Sequence, residues 1–122
     1  AITSDTPKLI GSTEGMQRSR ATSPFYKQWV ETSGDDFAEA LDAINNKDFE
    51  MLAQVAELSC LKMHSVMLTS MPTLSYWNPA TIACMDAVRR LRNQGIAAFF
   101  TIDAADAVER GVVGSRGDAE AA

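Results

Sequence analysis

The stretch from Asp48 to Pro72 does most to limit what this chain can fold into. Phe49, Leu52, Val55, Ala56, Met63, Val66 and Met67 recur at spacings that put them on one side of a helix. Asp48 stands where an N-cap belongs, and Pro72 stops the run. One long amphipathic helix is therefore predicted from Phe49 to about Ser70. Its methionines read as core packing rather than a cofactor site. His64, the one histidine of the chain, lies between Met63 and Met67. It reads as a packed core or interface histidine rather than a catalytic one. No second His, Cys or carboxylate is spaced with it as a metal-ligand set.

The remaining elements follow from caps and breakers. Pro72 to Trp77 is a loop whose Leu74, Tyr76 and Trp77 pin it to the core. Asn78-Pro79 opens a helix, with Ile82, Met85, Val88 and Leu91 on its buried side. Arg89, Arg90 and Arg92 complement the dipole of its last turn and read as a solvated helix end. Gly95 is the expected residue after the C-cap. Ile96 to Ile102 (IAAFFTI) reads as a buried strand with Asp103 at its end.

Upstream, residues 12–22 form a short predicted helix. Ser23 and Pro24 then read as N-cap and first position of a second helical run. Phe25, Trp29, Phe37, Leu41 and Ile44 give that run an apolar face. Thr32-Ser33-Gly34 weakens it, and Asp35 and Asp36 suit a renewed first turn, so one kinked helix or two remain open. Asn45-Asn46 ends it. Ala1 to Ser4 reads as the tail of a strand and Asp5-Thr6-Pro7 as a turn. A start inside a strand, without an initiator Met, suggests a piece of something longer. After Ala104 the text turns to Ala, Asp, Glu, Gly and Arg, with Val112-Val113 its apolar pair. The expected division is a domain over 1–104 and a divergent tail over 105–122, mobile or partly helical.

Composition removes several classes of function. At 122 residues the chain is one domain or part of one, and 46% hydrophobic content is enough for a core. No apolar run approaches a membrane span, and no signal peptide is visible. A net charge of −5 argues against a nucleic-acid binder. Cys60 and Cys84 lack a CxxC spacing and read as buried thiols of a reducing compartment. A cytoplasmic location is expected.

The chemistry centres on Gly11-Ser-Thr-Glu-Gly-Met16. Ser12 and Thr13 offer hydroxyls and backbone N–H groups where a loop enters a helix, an arrangement that favours anions. Ser12 taken alone is an N-cap. Gly15 allows a ligand or a second chain segment to approach the backbone. Arg18 and Arg20 add positive charge one turn later. No GxxxxGKS or Gly-rich phosphate loop occurs in the chain.

This stretch, continued through Thr22-Ser23-Pro24-Phe25-Tyr26, resembles the C-terminal lobe of diphosphomevalonate decarboxylase. That family belongs to the superfamily of galactose, homoserine, mevalonate and phosphomevalonate kinases. Its pattern here is Ser-Thr-x-Gly-Met, a short spacer, then Thr-Ser-Pro and an aromatic. Lys47-Asp48-Phe49, Leu61-Lys62-Met63-His64 with Leu68 and Pro72, Tyr76-Trp77, and Phe100-Thr101-Ile102-Asp103-Ala104 renew the resemblance. It covers about residues 8–104. The family continues Asp-Ala-Gly-Pro-Asn-Val-Lys; this chain reads Asp103-Ala-Ala-Asp-Ala-Val-Glu109. The Gly-Pro-Asn turn is missing, and the following strand and terminal helix are expected to be missing with it.

The resemblance implies a helix-rich α+β fold with few strands. It also implies part of an ATP-dependent decarboxylase. The family phosphorylates the C3 hydroxyl of 5-diphosphomevalonate with ATP; loss of phosphate and carbon dioxide then gives isopentenyl diphosphate, in the mevalonate route to isoprenoids. Asp103 corresponds to the catalytic aspartate, base or orienting group for that hydroxyl. Ser12, Thr13 and Met16 correspond to substrate-binding positions. No metal ligand is expected in this chain. ATP and Mg2+ belong to the complete enzyme, held mostly by an N-terminal lobe with the Gly-rich loop. That lobe and the diphosphate substrate are the implied partners, with a homodimer left open. This chain alone is expected to be inactive. A sister phosphomevalonate or mevalonate decarboxylase or kinase is the first alternative. A non-catalytic helical interaction module is the second, favoured by the altered text after Asp103.

Overall fold

The computed structural model describes residues 2–4, 9–104 and 109–115, with side chains described for residues 9–102. Four helices, α1 (Ser12–Thr22), α2 (Tyr26–Asn45), α3 (Phe49–Leu68) and α4 (Pro79–Asn93), lie with a sheet of β1 (Ile2–Ser4), β2 (Ala98–Ala104) and β3 (Glu109–Ser115). The fold is the expected helix-rich α+β. The strand order is β1-β3-β2, both pairings antiparallel, with Phe100 opposite Val113 and Asp103 opposite Arg110.

The caps act as their chemistry predicts. Asp48 accepts a hydrogen bond from the Met51 N–H at 3.1 Å. Asn78 and Thr81 form a reciprocal capping box ahead of Pro79. Gly95 takes φ +84°, the left-handed conformation that ends α4. The core has two centres. Cys60, Met85, Val88, Ala98, Phe100 and Ile102 join α3, α4 and β2; Met67, Leu74 and Tyr76 join α3 to the loop after it. The loop carrying Leu74 and Tyr76 is thus pinned as expected, and its Met71-Pro72 peptide bond is cis.

Several expectations are corrected. Ser23 is not the N-cap of the second run: it ends α1 in an extended conformation, and α2 starts at Tyr26. The Ser23 hydroxyl instead lies 2.7 Å from that of Thr69. Residues 26–45 make one helix; Thr32 and Ser33 turn their hydroxyls back onto Gln28 and Val30 carbonyls and do not break it. Phe25, Phe37, Leu41 and Ile44 are exposed, and so is Ile82, because no described element covers those sides. Arg92 is not a solvated end, since it forms a two-bond ion pair with Glu57. Cys60 is buried but Cys84 only partly; both are free thiols. The strand expected to be missing after Ala104 is present: Glu109–Ser115 form β3, the middle of the sheet. Alternation is hidden there because Gly111 and Gly114 flank the valine pair. The turn expected at Asp5-Thr6-Pro7 and residues 105–108 and 116–122 lie outside the described residues.

Candidate functional site

The two stretches singled out by sequence are α1's first turn and the end of β2. α1 starts at Ser12 with Gly11 as its N-cap in an extended conformation, so Ser12 is the first helical residue rather than the cap. The Gly11 carbonyl already accepts from the Gly15 N–H at 2.9 Å. The Gly15 N–H thus closes the first turn of the helix, whose dipole is positive at this end. Ser12 is half-buried and Thr13 exposed. Glu14 is the acidic residue of this turn and opposes an anion there.

α1 is held by its other end. The Ser19 hydroxyl lies 2.9 Å from that of Ser70, and both residues are buried. The Met71 N–H donates to the Thr22 hydroxyl at 2.9 Å, and the Arg18 guanidinium donates to the Pro72 carbonyl at 3.3 Å. Arg18 is thus a clamp on the loop after α3. Gly15 is buried, and a β-carbon there would stand 2.7 Å from the Tyr76 hydroxyl oxygen. The close approach expected at Gly15 is made by this tyrosine. Its hydroxyl donates to the Ile10 carbonyl at 3.1 Å and so fixes the entry to the helix. Met16 packs on Met67, Leu74 and Tyr76 beside Met63.

Asp103 sits in β2 opposite Arg110; its side chain lies outside the described residues. The residue before it is held on both backbone groups. The Ile102 N–H donates to Cys60 Sγ at 3.1 Å, and His64 Nε2 lies 3.1 Å from the Ile102 carbonyl. A carbonyl can only accept, so His64 carries its proton on Nε2 here. Burial pushes the His64 pKa below its ordinary value of 6.5, partly offset by this bond, so the ring is neutral near pH 7. Burial likewise raises the Cys60 thiol pKa; its bond with Ile102 lowers it less, and the charge of Glu57 adds to the rise. The neutral thiol is thereby favoured, and its sulfur meets both backbone groups of Ile102. His64, 1% exposed, is the packed histidine that the sequence suggested, its ring tilted against Trp77 at 5.4 Å.

Both stretches thus lean on the same part of α3. Met16 meets the Met63 and Met67 side, and Ile102 is gripped by Cys60 and His64. The supporting role of Cys60 and His64 was missed by sequence reasoning, because a backbone acceptor 38 residues away leaves no pattern. An open groove of about 470 Å³ runs between α2, α3 and β2, lined by Trp29, Phe37, Val55, Met63 and Ile102 among others. Among the described residues no three His, Cys, Asp or Glu side chains converge on a possible metal site, and no helix is long and apolar enough to cross a membrane.

Comparison with known proteins shows which family this arrangement belongs to. A family model for the mevalonate 5-diphosphate decarboxylase C-terminal domain matches residues 1–108. A diphosphomevalonate decarboxylase of Candida albicans is 31% identical over 104 residues, covering 84% of this chain and 29% of the relative. A solved mevalonate pyrophosphate decarboxylase from Streptococcus pyogenes superposes with a TM-score of 0.83 at 35% identity, over 96% of this chain and 37% of the other. A structure of MDDEF in complex with MVAPP, AMPPCP and magnesium gives 0.82 at 35% identity, over 97% and 36%. The chain therefore spans about three tenths of the length of the curated relatives it matches.

Proposed function

The chain belongs to the mevalonate 5-diphosphate decarboxylase C-terminal domain family, and from that premise we propose that it serves as the C-terminal lobe of a two-lobe, ATP-dependent decarboxylase acting on 5-diphosphomevalonate. One observation carries this reading. The two stretches with family text, Ser12 to Met16 and the strand that carries Asp103, are supported by the same turns of α3. They belong to one working surface rather than to two unrelated parts of the lobe.

In this reading Asp103 accepts the proton of, or orients, the C3 hydroxyl as that oxygen attacks the terminal phosphate of ATP. The phosphate and the carboxylate then leave, as phosphate and carbon dioxide, and isopentenyl diphosphate remains. A carboxylate carried on a strand holds its direction better than one on a loop. Ser12, Thr13 and the positive end of α1's dipole receive an anionic part of the substrate, with Met16 as the apolar wall beside them. ATP and Mg2+ belong to the complete enzyme and are held mostly by the other lobe. The relative solved with AMPPCP and magnesium supports their place in the complete enzyme. The partners are that N-terminal lobe and, in a homodimer, a second copy. The exposed apolar side of α2, with Val30, Phe37, Leu41 and Ile44, supports self-association. The location is the cytoplasm.

The test uses a two-lobe protein that carries this chain as its C-terminal part. Asp103→Asn should lower kcat by ~10²–10⁴-fold and leave KM nearly unchanged. Ser12→Ala should act mainly on KM. Release of ADP and carbon dioxide from mevalonate, phosphomevalonate and diphosphomevalonate reads both roles and the substrate. Asp103→Asn within about threefold of the parent rate would remove the aspartate from the mechanism.

A further inference from the structure

β2 lies at the edge of the described sheet, with β3 on one side. In an antiparallel pair the N–H and C=O of one residue point to the same side, and the side alternates along the strand. The groups of Phe100 and Ile102 share a direction, and α3 meets them there. The Phe100 N–H donates to Glu57 Oε1 at 3.3 Å, and the Ile102 N–H to Cys60 Sγ at 3.1 Å. The Ile102 carbonyl accepts from His64 Nε2 at 3.1 Å, and the thiol faces the same carbonyl at 3.9 Å. Glu57 is itself held by Arg92 of α4, at 2.6 and 3.2 Å.

Residues 57, 60 and 64 stand three and four apart, on one face of α3. Seven helical residues rise about 10 Å, and the two strand residues they serve span about 7 Å. The three side chains therefore supply, in register and in chain order, the partners that a neighbouring strand would supply. Two of the three are buried or nearly so, where an unpaired N–H or C=O would be costly.

We infer that Glu57, Cys60 and His64 are positioning residues: they replace a fourth strand along the outer edge of β2 and fix the backbone that delivers Asp103. This rests on the catalytic reading of Asp103 and goes beyond it, because none of the three touches substrate in that reading. A strand edge left to water would allow the last residues of β2 to fray, and small displacements of a reacting group cost rate steeply.

The test pairs variants that remove a partner with variants that keep it, in the two-lobe protein carrying this chain. Cys60→Ala and His64→Leu remove the acceptor and the donor; Cys60→Ser and His64→Gln keep them. Amide hydrogen exchange at Ile102 should quicken about tenfold or more in the first pair and stay near the parent value in the second. In the first pair kcat should fall by about tenfold or more while KM stays within about twofold, and the second pair should recover most of that loss. A general loss of stability would instead quicken exchange across α3 and α4 together. Unchanged exchange at Ile102 in both removing variants would overturn the inference. So would a parental kcat in those variants when Asp103→Asn is inactive, and that result would leave the aspartate's role standing. Asp103→Asn at the parental rate would overturn both.

Discussion

Helices α2 and α3 each run for 20 residues and pack on each other, yet α3 buries Ala53, Val55, Cys60, His64, Val66 and Met67 whereas α2 fully buries Ala43. α3 has α1, α2 and β2 around it; α2 has α3 on one side and, among the described residues, little on the other. Val30, Phe37 and Ile44 stand seven apart on α2 and are about half exposed or more. Hydrophobic spacing identifies a face that wants cover. Neighbours decide whether the face gets it. The difference separates a helix that organises the candidate site from a helix whose outer side no described element covers.

The contrast breaks most readily at Met67 and Phe37. Met67→Ala should cost about 2–5 kcal/mol of stability in a urea titration, because a 2% exposed side chain leaves a cavity between α3 and its loop. Phe37→Ser should move stability by no more than about 0.5 kcal/mol and weaken self-association in sedimentation velocity. Equal destabilisation by the two changes would show that α2's outer side is buried after all.

A smaller effect comes from acid. His64 is held below its ordinary pKa of 6.5 in the fold. The unfolded chain therefore takes up the proton first as pH falls. The stability His64 contributes is complete above pH 6.5 and is lost as pH drops from there toward the lowered folded value. Stability measured from pH 7.5 to 5 should fall less steeply in His64→Gln, which keeps a donor for Ile102 but does not titrate. An unaltered slope would place the acid sensitivity elsewhere.

The smallest change is expected on α2's exposed side. Lys27 and Glu31 pair at 3.7 Å with 87% and 60% of their side chains exposed. Glu31→Gln should shift stability by less than about 0.5 kcal/mol. The inward pair gives the sharper comparison: Lys62 of α3 donates to both Asp36 oxygens at 2.8 Å, and both side chains are largely covered. Asp36→Asn should cost more than Glu31→Gln, and more salt should erase the smaller effect first.

Sequence reading located elements where local chemistry speaks for itself. Asp48, Asn78-Pro79 and Gly95 mark helix ends with their own side chains or their own φ, so α3 and α4 were legible to within a few residues. Ser23-Pro24 carried the same signal and misled: the Ser23 hydroxyl does accept from the Phe25 N–H and also meets Thr69, 46 residues away, but the backbone stays extended at Ser23 and α2 starts only at Tyr26. Ile82 matched the period of α4 but lies on a side that no described element covers. β3 was invisible because its valines sit among glycines and charges, and only its pairing on both sides makes it a strand. Of the candidate site, the start of α1 and the position of Asp103 on a strand were legible. The grip of Cys60 and His64 on Ile102 was not, since backbone groups look alike at every residue.

The contact between Tyr76 and Ile10 has a kinetic consequence. Its partners are 66 residues apart, and it needs the bare backbone of Gly15 to lie beneath the ring's hydroxyl. Closing so long a loop is entropically costly until intervening elements have docked. The entry to α1 comes before α3 in the chain, yet it is oriented only after α3 and its loop are in place. The N-terminal end of α1 is therefore among the last parts of the lobe to take shape during folding, although it precedes in the chain the elements that hold it.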